Sequence, residues 1–369
     1  MSVKNSEPSQ EIAIVLSADD NYAAYLGVCI KSIIENSDAH KKYHIYILDG
    51  GISDYHKDLI LNMGKSHVLI DFTDMEPYLK YYDKGLFSLS LHFTIATYYR
   101  FFLPIIFPDK EKLIYLDCDT VVLKDLAELY KIKTDNYYFA ATLDIEIIRA
   151  GEHLKQKYLD YFYNKLKLKN HKNYIQAGCL VCNIKKMRED DLTSQLIEKL
   201  KEVKTPKFVD QCIINATCEG MIKFIKQNWN FTWHLPFIDK EYKQFIPAPY
   251  LNKYLQARED PYIIHFTGNG TKPWLNPALE KAHYFWFYAR QTPFYEEILY
   301  RNLKVKAEPP RIDLSPVRAA LQLTADKIKY WRYKLLSRIT FGKKRKKYKN
   351  KRKELKKRIK MAKDFLKGK

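Results

Sequence analysis

Two carboxylates stand at the end of a predicted strand, where they could hold a metal ion. Asp117 and Asp119 directly follow four apolar residues, 113–116, which predict a buried strand. In an extended backbone the side chains at i and i+2 point to the same face, so the two carboxylates would converge beyond the strand end. Two anions this close repel each other unless a cation lies between them. Acidic pairs also occur as turn or cap residues after strands, so the spacing alone leaves both interpretations open.

A late segment offers further groups to the same chemistry. Residues 262–265 predict a strand that ends on His265, and the loop after it contains Gly268 and Lys272. A loop that contains glycine would let Lys272 fold back over a bound anion. Carboxylates, one imidazole and diphosphate oxygens suit Mn²⁺, which accepts nitrogen more readily than Mg²⁺. A single histidine at a strand end is more often structural, and the sequence alone does not bring His265 to the aspartates.

The elements that would position these groups alternate along the chain. Strands are predicted at 12–16, 44–48, 68–72, 113–116, 138–142, 177–184 and 262–265, and helices at 22–34, 53–61, 92–102, 125–130 and 208–218. This alternation favours an α/β fold with a mostly parallel, Rossmann-like sheet flanked by helices. Ligands of such sheets bind beyond the carboxyl ends of the strands, where Asp19 and the Asp117–Asp119 pair are placed.

The predicted helix 92–102 carries polar residues on one face. His92, Ala96 and Arg100 are spaced at i, i+4 and i+8, and we expect the helix to stop at Pro104. A binding face and a solvated face fit this spacing equally well. The first strand–helix turn has neither a G-x-G-x-x-G motif nor a Walker lysine loop, so a nucleotide would need another way to neutralise its phosphates.

The positive charge of the chain is concentrated at its end. The 369 residues have a net charge of +20, and residues 343–369 contain 16 Lys/Arg against 2 Asp/Glu. Residues 317–342 predict an amphipathic helix with an apolar stripe, which consists of Val317, Leu321, Ile328, Trp331, Leu335 and Ile339. A basic helix of this kind binds an anionic membrane surface. A solvated tail is the alternative, and no nucleic-acid partner is expected because no recognition module is visible.

Five motifs in a fixed order resemble those of glycosyltransferase family 8. They are residues 17–22 (Ser-Ala-Asp-Asp-Asn-Tyr), Asp117-Cys118-Asp119, Gln176-Ala177-Gly178, Asp210-Gln211 and the loop 265–274. The resemblance covers residues 11–274 and is closest to the bacterial lipopolysaccharide galactosyl- and glucosyltransferases. It implies a GT-A fold and retaining transfer of galactose or glucose from a UDP-sugar, with Mn²⁺, or alternatively Mg²⁺, as cofactor. The implied acceptor is a membrane-linked oligosaccharide of the lipopolysaccharide or lipooligosaccharide type.

The resemblance also implies a role for each matching residue. The metal ligands would be Asp117, Asp119 and His265. The donor would be bound by Ser17, Asp19, Asn21, Tyr22, Arg100, Asp117, Cys118, Gly268 and Lys272. The sugar and acceptor hydroxyls would be held by His92, Asp144, Gln176 and Asp210. The catalytic residues would be Gln211, Asp210 and Lys272, with Lys272 opposing the negative charge that develops on the leaving UDP.

Two departures from the family pattern leave the sugar and the acceptor open. Gln176 stands where close relatives often have Asn, and the loop before Lys272 is one residue longer. Retention by double displacement needs a carboxylate nucleophile, whereas Gln211 carries an amide, so we favour front-face attack by the acceptor hydroxyl. Because Asp210 is adjacent, double displacement stays open. The alternative functions are a metal-dependent nucleotidyltransferase and a non-catalytic nucleotide-fold protein that its tail tethers to membrane or RNA.

These patterns predict a domain organisation and a location. We expect a disordered N-terminus (1–10), a GT-A catalytic domain (11–305) and a basic amphipathic helical tail for membrane attachment (306–369). Residues 1–11 form no apolar signal segment, and the six cysteines lie mostly in apolar segments, which indicates a reducing compartment. We therefore expect a cytoplasmic protein attached peripherally to the inner face of the cytoplasmic membrane. Cys179 and Cys182 should lie on opposite faces of one strand.

Overall fold

The apolar runs form two sheets in the computed structural model, which describes residues 11–87, 94–153, 159–233, 244–307, 315–339 and 342–366. The strands are β1 Ile12–Ala18, β2 Tyr43–Asp49, β3 Val68–Asp74, β4 Lys112–Asp117, β5 Thr120–Val122, β6 Phe139–Leu143, β7 Ile175–Asn183, β8 Ile222–Phe224, β9 Phe231–Thr232 and β10 Ile263–His265. A seven-stranded sheet has the order β3-β2-β1-β4-β7-β6-β8, and β5, β10 and β9 form a smaller sheet. Strands β3, β2, β1 and β4 are parallel, whereas β7 is antiparallel to β4 and β6. The predicted mostly parallel, Rossmann-like sheet is confirmed.

Helices connect these strands. Those of the body are α1 Ala23–Glu35, α2 Asp54–Leu61, α3 Glu76–Leu79, α4 Leu103–Ile106, α5 Leu126–Tyr130, α6 Ile145–His153, α7 Ile184–Glu189, α8 Leu192–Val203, α9 Val209–Cys218, α10 Ala248–Glu259 and α11 Ala282–Ala289. They are followed by α12 Tyr295–Ala307, α13 Ser315–Ile339 and α14 Gly342–Leu366. The described residues up to Asn302 form one compact unit, and those from Leu303 form a second. The disordered segment expected at 1–10 lies outside the described residues, and the boundary expected at 305 stays a prediction.

Apolar side chains cover both faces of the large sheet. Along β1, Ile14 and Leu16 pack into one core cluster and Ala13 and Val15 into the other. A strand buried on both faces has no polar side to present, which explains the continuous apolar runs in the sequence. The two cysteines of the C-x-x-C motif lie in opposite clusters, as predicted from their spacing.

The helix predicted at 92–102 is different in the structure. Ile95–Phe102 is a 3₁₀ helix, and His92 lies outside the described residues. With three residues per turn instead of 3.6, Ala96 and Arg100 no longer share one face. Pro104 does not stop this segment but lies in the first turn of α4, where its missing N–H costs no hydrogen bond.

The tail unit contains the two helices α13 and α14, which pack against each other. Leu323 and Leu355 are buried, and the rings of Tyr333 and Tyr348 stack with centroids 5.8 Å apart. Three members of the predicted apolar stripe, Ile328, Trp331 and Leu335, are exposed. Among the helices that the structure describes, none combines the length and apolar character required to span a membrane.

Candidate active site

The polar residues that follow the central strands meet at one edge of the large sheet. β1 and β4 are parallel with Ser17 opposite Asp117, and the Ser17 hydroxyl hydrogen-bonds the Tyr115 hydroxyl at 2.6 Å. Because β7 is antiparallel, its first residues lie at the same edge as the last residues of β4. A cavity of about 410 Å³ opens there. The predicted site residues that line it are Ser17, Asp19, Tyr22, Arg100, Asp117, Cys118, Asp119, Asp144, Gln176, Asp210, Gln211, His265, Gly268 and Lys272.

The small sheet brings His265 to the aspartates. β5 follows Asp119 directly, and β10 pairs with β5 so that His265 lies opposite Thr120. The Nε2 atom of His265 is then 3.0 Å from Asp119 Oδ1 and 3.7 Å from Asp117 Oδ2. One ligand atom from each of the three residues lies within 4.8 Å of the others, which is a spacing that a single metal ion can bridge.

The hydrogen bonds of His265 fit a metal ligand. Its Nδ1 lies 3.1 Å from Asn230 Oδ1, and that oxygen can only accept, so Nδ1 carries the proton. Nε2 therefore keeps a lone pair that points to the carboxylates, as in a histidine that binds a metal. Asp119 Oδ1 is buried and has no hydrogen-bond partner among the described residues, although it lies beside Nε2. A divalent cation would satisfy both atoms.

Gly178 leaves the room that this arrangement needs. A Cβ atom at this position would lie 2.2 Å from Cε1 of His265 and 2.6 Å from Asp117 Oδ2. Distances this short are not found for real Cβ atoms, so the backbone of β7 approaches the two ligands as closely as only glycine permits. The close approach explains why the last position of the Gln176-Ala177-Gly178 motif is a glycine.

Lys272 lies beside the second carboxylate. Its ammonium group donates to an Asp119 carboxylate oxygen and to the backbone carbonyl of Phe266, the latter at 2.7 Å. Burial alone would raise the pKa of Asp119, but the positive charge of Lys272 outweighs burial and holds this pKa well below its usual range, and His265 lowers it further only when its imidazole is protonated. Asp119 is therefore an anion at neutral pH, as a metal ligand must be.

Arg100 balances the first carboxylate. It is 4% exposed, and its Nη2 atom donates to Asp117 Oδ1 at 2.7 Å while Nε lies 3.0 Å from Asp210 Oδ2. Nη1 donates to the carbonyl of Ala177. The guanidinium group thus connects two carboxylates of the cavity with the start of β7. This geometry assigns Arg100 a positioning role, in addition to the donor-binding role that the sequence predicts.

Asp144 and Gln211 form a second polar pair in the cavity. The Gln211 amide donates from Nε2 to Asp144 Oδ2 at 2.9 Å and accepts at Oε1 from the Ala177 N–H at 3.0 Å. Burial raises the pKa of Asp144 to about 6, against hydrogen bonds from the Ile147 N–H and Gln211 that lower it. Burial also raises the pKa of Asp210 to about 6, although Arg100 and Thr97 act in the opposite direction.

Three other predicted residues, Asn21, Cys118 and Gln176, have surroundings that do not show the contact predicted for them. Asn21 is exposed and does not line the cavity, and Cys118 is a buried thiol whose pKa burial raises well above its usual value. The side-chain carbonyl of Gln176 accepts hydrogen bonds at 2.6 Å from both the Gly178 N–H and Asn230 Nδ2. Gln176 therefore supports His265 through Asn230, while the sugar contact predicted for Gln176 remains a prediction.

The sequence alone does not identify Asn230 as a site residue, and it assigns no role to Gly178, although this glycine lies in one of the five motifs. Asn230 is fully buried, and its amide links Gln176 to His265. The signal available in the sequence is an amide between the aromatic residues Trp229 and Phe231, at a position where burial demands a hydrogen-bond partner.

Comparisons with known proteins agree with this geometry. The family model for glycosyl transferase family 8 matches residues 13–278. General stress protein A of Bacillus subtilis is 30% identical over 269 residues, which span 71% of this chain and 86% of that protein. A putative glycosyltransferase of Haemophilus influenzae is 33% identical over 231 residues, 61% of this chain and 64% of the relative, so the match spans just under two thirds of its length.

Solved structures give the same assignment of the fold. The bifunctional glycosyltransferase WbbM superposes with a TM-score of 0.71 at 27% identity, over 82% of this chain and 53% of that chain. The galactosyltransferase LgtC, solved with donor and acceptor sugar analogues, superposes with a TM-score of 0.60 over 76% of this chain and 96% of that chain; at 23% identity it shows the GT-A fold alone. With the family match covering most of the catalytic body, this chain belongs to glycosyltransferase family 8 and is a glycosyltransferase.

Proposed function

We propose that the enzyme moves galactose or glucose from a UDP-sugar to a glycan acceptor of the lipopolysaccharide or lipooligosaccharide type, with retention of configuration. The observation that carries this proposal is that one cavity combines three residues spaced so that they could hold a cation, Asp117, Asp119 and His265, with the buried ammonium group of Lys272. A diphosphate leaving group needs positive charge from both sources, because negative charge develops on its oxygen as the sugar–phosphate bond breaks.

Relatives support the choice of acceptor class. Lipopolysaccharide 1,2-glucosyltransferase of Escherichia coli is 22% identical over 276 residues, which span 72% of this chain and 74% of that enzyme. An enzyme of this kind works on an acceptor that grows on a lipid. The proposed acceptor here is therefore a membrane-linked oligosaccharide, and the donor is UDP-galactose or UDP-glucose.

The residues of the site would divide the work of bond breaking. Asp117, Asp119 and His265 would hold Mn²⁺, or alternatively Mg²⁺, and this cation supplies Lewis-acid stabilisation of the diphosphate. Lys272 would oppose the charge of the leaving oxygen from the loop side. The ionised state of Asp119 and the free lone pair of His265 Nε2 make both residues competent ligands without loss of a proton.

The hydrogen bonds around the sugar-binding region support front-face attack. Gln211 carries an amide, which is a poor nucleophile, and Asp144 and Ala177 fix both of its ends. The carboxylate of Asp210 accepts a hydrogen bond from the Thr97 hydroxyl at Oδ1, while its Oδ2 accepts none from the described residues and lies in an ion pair 3.0 Å from Arg100 Nε, so the cation offsets its charge. In the proposed step the acceptor oxygen attacks the anomeric carbon, the carbon–oxygen bond to UDP breaks, and the UDP oxygen takes the proton of the acceptor hydroxyl.

The tail supports a location at the membrane. Ile328, Trp331 and Leu335 are 66%, 62% and 62% exposed at i, i+3 and i+7 of α13, so they share one face of this helix. The ammonium group of Lys334 lies 4.0 Å from the ring of Trp331, and α14 is rich in Lys and Arg. An exposed apolar face with basic residues around it fits peripheral attachment to the inner, anionic face of the cytoplasmic membrane, to which each cation near the surface adds about 1 kcal/mol.

Release of UDP tests the proposed activity. The purified protein should release UDP from UDP-galactose or UDP-glucose in the presence of Mn²⁺, and Asp119→Asn should reduce the rate at least ~100-fold because a ligand charge is lost. Asp135→Asn, at an exposed position, is the matched control. The anomeric configuration of the transferred sugar, read by NMR, tests retention.

Two results would contradict this function. Release of pyrophosphate from a nucleoside triphosphate, without release of UDP from a UDP-sugar, would indicate a nucleotidyltransferase. Failure to turn over either donor, with no difference between the wild type and Asp119→Asn in metal binding, would indicate a non-catalytic protein.

A further inference from the structure

A closed ring of charged groups holds the turn at residues 19–22 from outside the cavity. His56 Nδ1 lies 2.6 Å from Asp20 Oδ1, and His56 Nε2 lies 3.1 Å from Glu297 Oε2. Arg301 pairs with Glu297 at 2.5 Å and donates through Nη1 to the backbone carbonyl of Asn21 at 2.6 Å. The ring starts and ends on adjacent residues of the same turn and includes side chains from α2 and α12.

His56 is the centre of this ring. It is 6% exposed, and each ring nitrogen faces an oxygen of a carboxylate, which accepts hydrogen bonds and does not donate them when ionised. Burial would raise the pKa of Asp20, but hydrogen bonds from Ser53 and His56 lower it to about 2, so this carboxylate is ionised at neutral pH. The side chain of Asp20 is therefore directed to α2 and away from the cavity that the neighbouring Asp19 lines.

Arg301 also acts on a tyrosine that packs against the loop that carries Lys272. Burial raises the pKa of Tyr25, and the positive charge of Arg301 opposes that rise. The Tyr25 ring stacks on Trp274 with centroids 3.9 Å apart and an interplanar angle of 14°. Trp274 follows Lys272 by two residues, so Arg301 holds the turn at 19–22 directly and lies beside the tyrosine that packs on the loop near Asp119.

We propose that His56, Glu297 and Arg301 are positioning residues for the nucleotide part of the donor, and we call these three residues the brace. The inference rests on the proposed function and on the donor-binding role that the family resemblance implies for Asp19, Asn21 and Tyr22 of this turn. Ion pairs with partly exposed partners contribute little to stability. The brace instead fixes the direction of a backbone carbonyl and a carboxylate in a loop that would otherwise have several conformations. Displacement of binding groups by about 1 Å is enough to reduce catalytic efficiency ~100-fold.

The test compares Arg301→Met, Arg301→Lys and His56→Gln with the wild type in the full-length protein. Glu296→Gln is the matched control, because Glu296 is an exposed neighbour of Glu297 on the same helix. Direct titration with UDP and Mn²⁺ measures nucleotide affinity, steady-state assays give KM for the donor and kcat, and thermal unfolding gives Tm. We expect UDP affinity to fall about tenfold in Arg301→Met and His56→Gln, with a matching rise in donor KM and kcat within about twofold. Arg301→Lys should recover part of the affinity because it retains a charged donor.

The outcomes separate this inference from the proposed function. If the wild type binds UDP and the Met and Gln variants bind it equally well, the brace does not position the nucleotide. A fall in kcat and Tm with unchanged donor KM would indicate a merely structural role and would also overturn the inference. Absence of UDP binding by the wild type would refute the nucleotide assignment itself, and the positioning role with it.

Discussion

Substitution of Gly178 by alanine should disable the metal site through one added methyl group. The Cβ atom would lie 2.2 Å from His265 Cε1 and 2.6 Å from Asp117 Oδ2. Carbon atoms in contact are normally about 3.5–4.0 Å apart, so the imidazole would have to move by more than ~1 Å. Neither neighbour is free to yield, because Asn230 holds His265 and Arg100 holds Asp117.

The expected result follows from this displacement. A shift of ~1 Å in a group that orients a reacting centre costs about 100-fold in rate, and overpacking of a buried position costs about 1–3 kcal/mol in the free energy of unfolding. Mn²⁺ affinity, measured as free Mn²⁺ by EPR, and the rate of UDP release should therefore both fall strongly in Gly178→Ala. The control is Gly85→Ala, where the added Cβ would lie 3.3 Å from the flexible carboxylate of Asp83.

The reasoning would be refuted by one clear result. If Gly178→Ala folds and binds Mn²⁺ with wild-type affinity, the close approach of β7 to the two ligands has no functional meaning. Circular dichroism and Tm decide whether the variant is folded. If the variant were unfolded, its loss in the free energy of unfolding would exceed the cost of about 1–3 kcal/mol expected for overpacking. That result would contradict the stated magnitude.

Three further predictions concern the buried polar groups, and a fourth concerns the tail. Asn230→Leu should weaken Mn²⁺ binding about 10–100-fold, because His265 loses the partner that fixes its tautomer; unchanged affinity in a Mn²⁺ titration would contradict this. Asp144 binds its proton more tightly in the folded protein (pKa about 6) than in the unfolded chain (3.8). Its contribution therefore lowers the free energy of unfolding as the pH rises from about 4 to about 6 and beyond. Asp144→Asn should thus gain up to about 3 kcal/mol in urea unfolding at pH 7 and much less at pH 4, whereas an equal gain at both pH values would argue against burial as the cause. Removal of divalent ions with EDTA should stop UDP release but change Tm by only a few degrees, since the protein balances its own carboxylates; unfolding in EDTA would show otherwise. The tail can be tested by deletion of 317–369, or by Ile328→Ser, Trp331→Ser and Leu335→Ser together in the full chain. Either change should move the protein from the membrane pellet to the supernatant while turnover of a soluble acceptor persists. Continued pelleting would rule out attachment through this face.

The part of the fold that local patterns determine could be predicted from the sequence. Apolar runs identified seven of the ten described strands, and the order of elements identified the mostly parallel sheet, whereas the short strands β5, β8 and β9, of two or three residues each, were missed. The 3₁₀ helix Ile95–Phe102 was missed because spacings of 3.0 and 3.6 residues are hard to distinguish over eight residues. Pro104 was interpreted as a stop, although proline is equally compatible with the first turn of the next helix.

The assembly of the site depends on pairings that no local pattern reveals. The DxD spacing predicted that Asp117 and Asp119 converge, but the position of His265 follows from the pairing of β10 with β5, two strands far apart in the sequence. Asn230 carries no catalytic group and acts only through its buried hydrogen bonds. Residues of this kind become visible when the tertiary structure shows which polar atoms must satisfy each other.

The charged side chains of the cavity pair with each other, and this pairing bears on how a metal and a nucleotide would bind. Arg100 offsets Asp117 and Lys272 offsets Asp119, so each carboxylate has a cationic partner within the protein. Arg100 also donates to the carbonyl of Ala177 and pairs with Asp210, and these contacts fix its position. Lys272, in contrast, lies directly after the loop that begins at Gly268. In the proposed function, a cation at Asp119 would repel the ammonium group of Lys272, and a diphosphate would offer that ammonium group a new partner. Metal and nucleotide would then each make the binding of the other more favourable, because Lys272 would keep a partner of opposite charge only when both are bound.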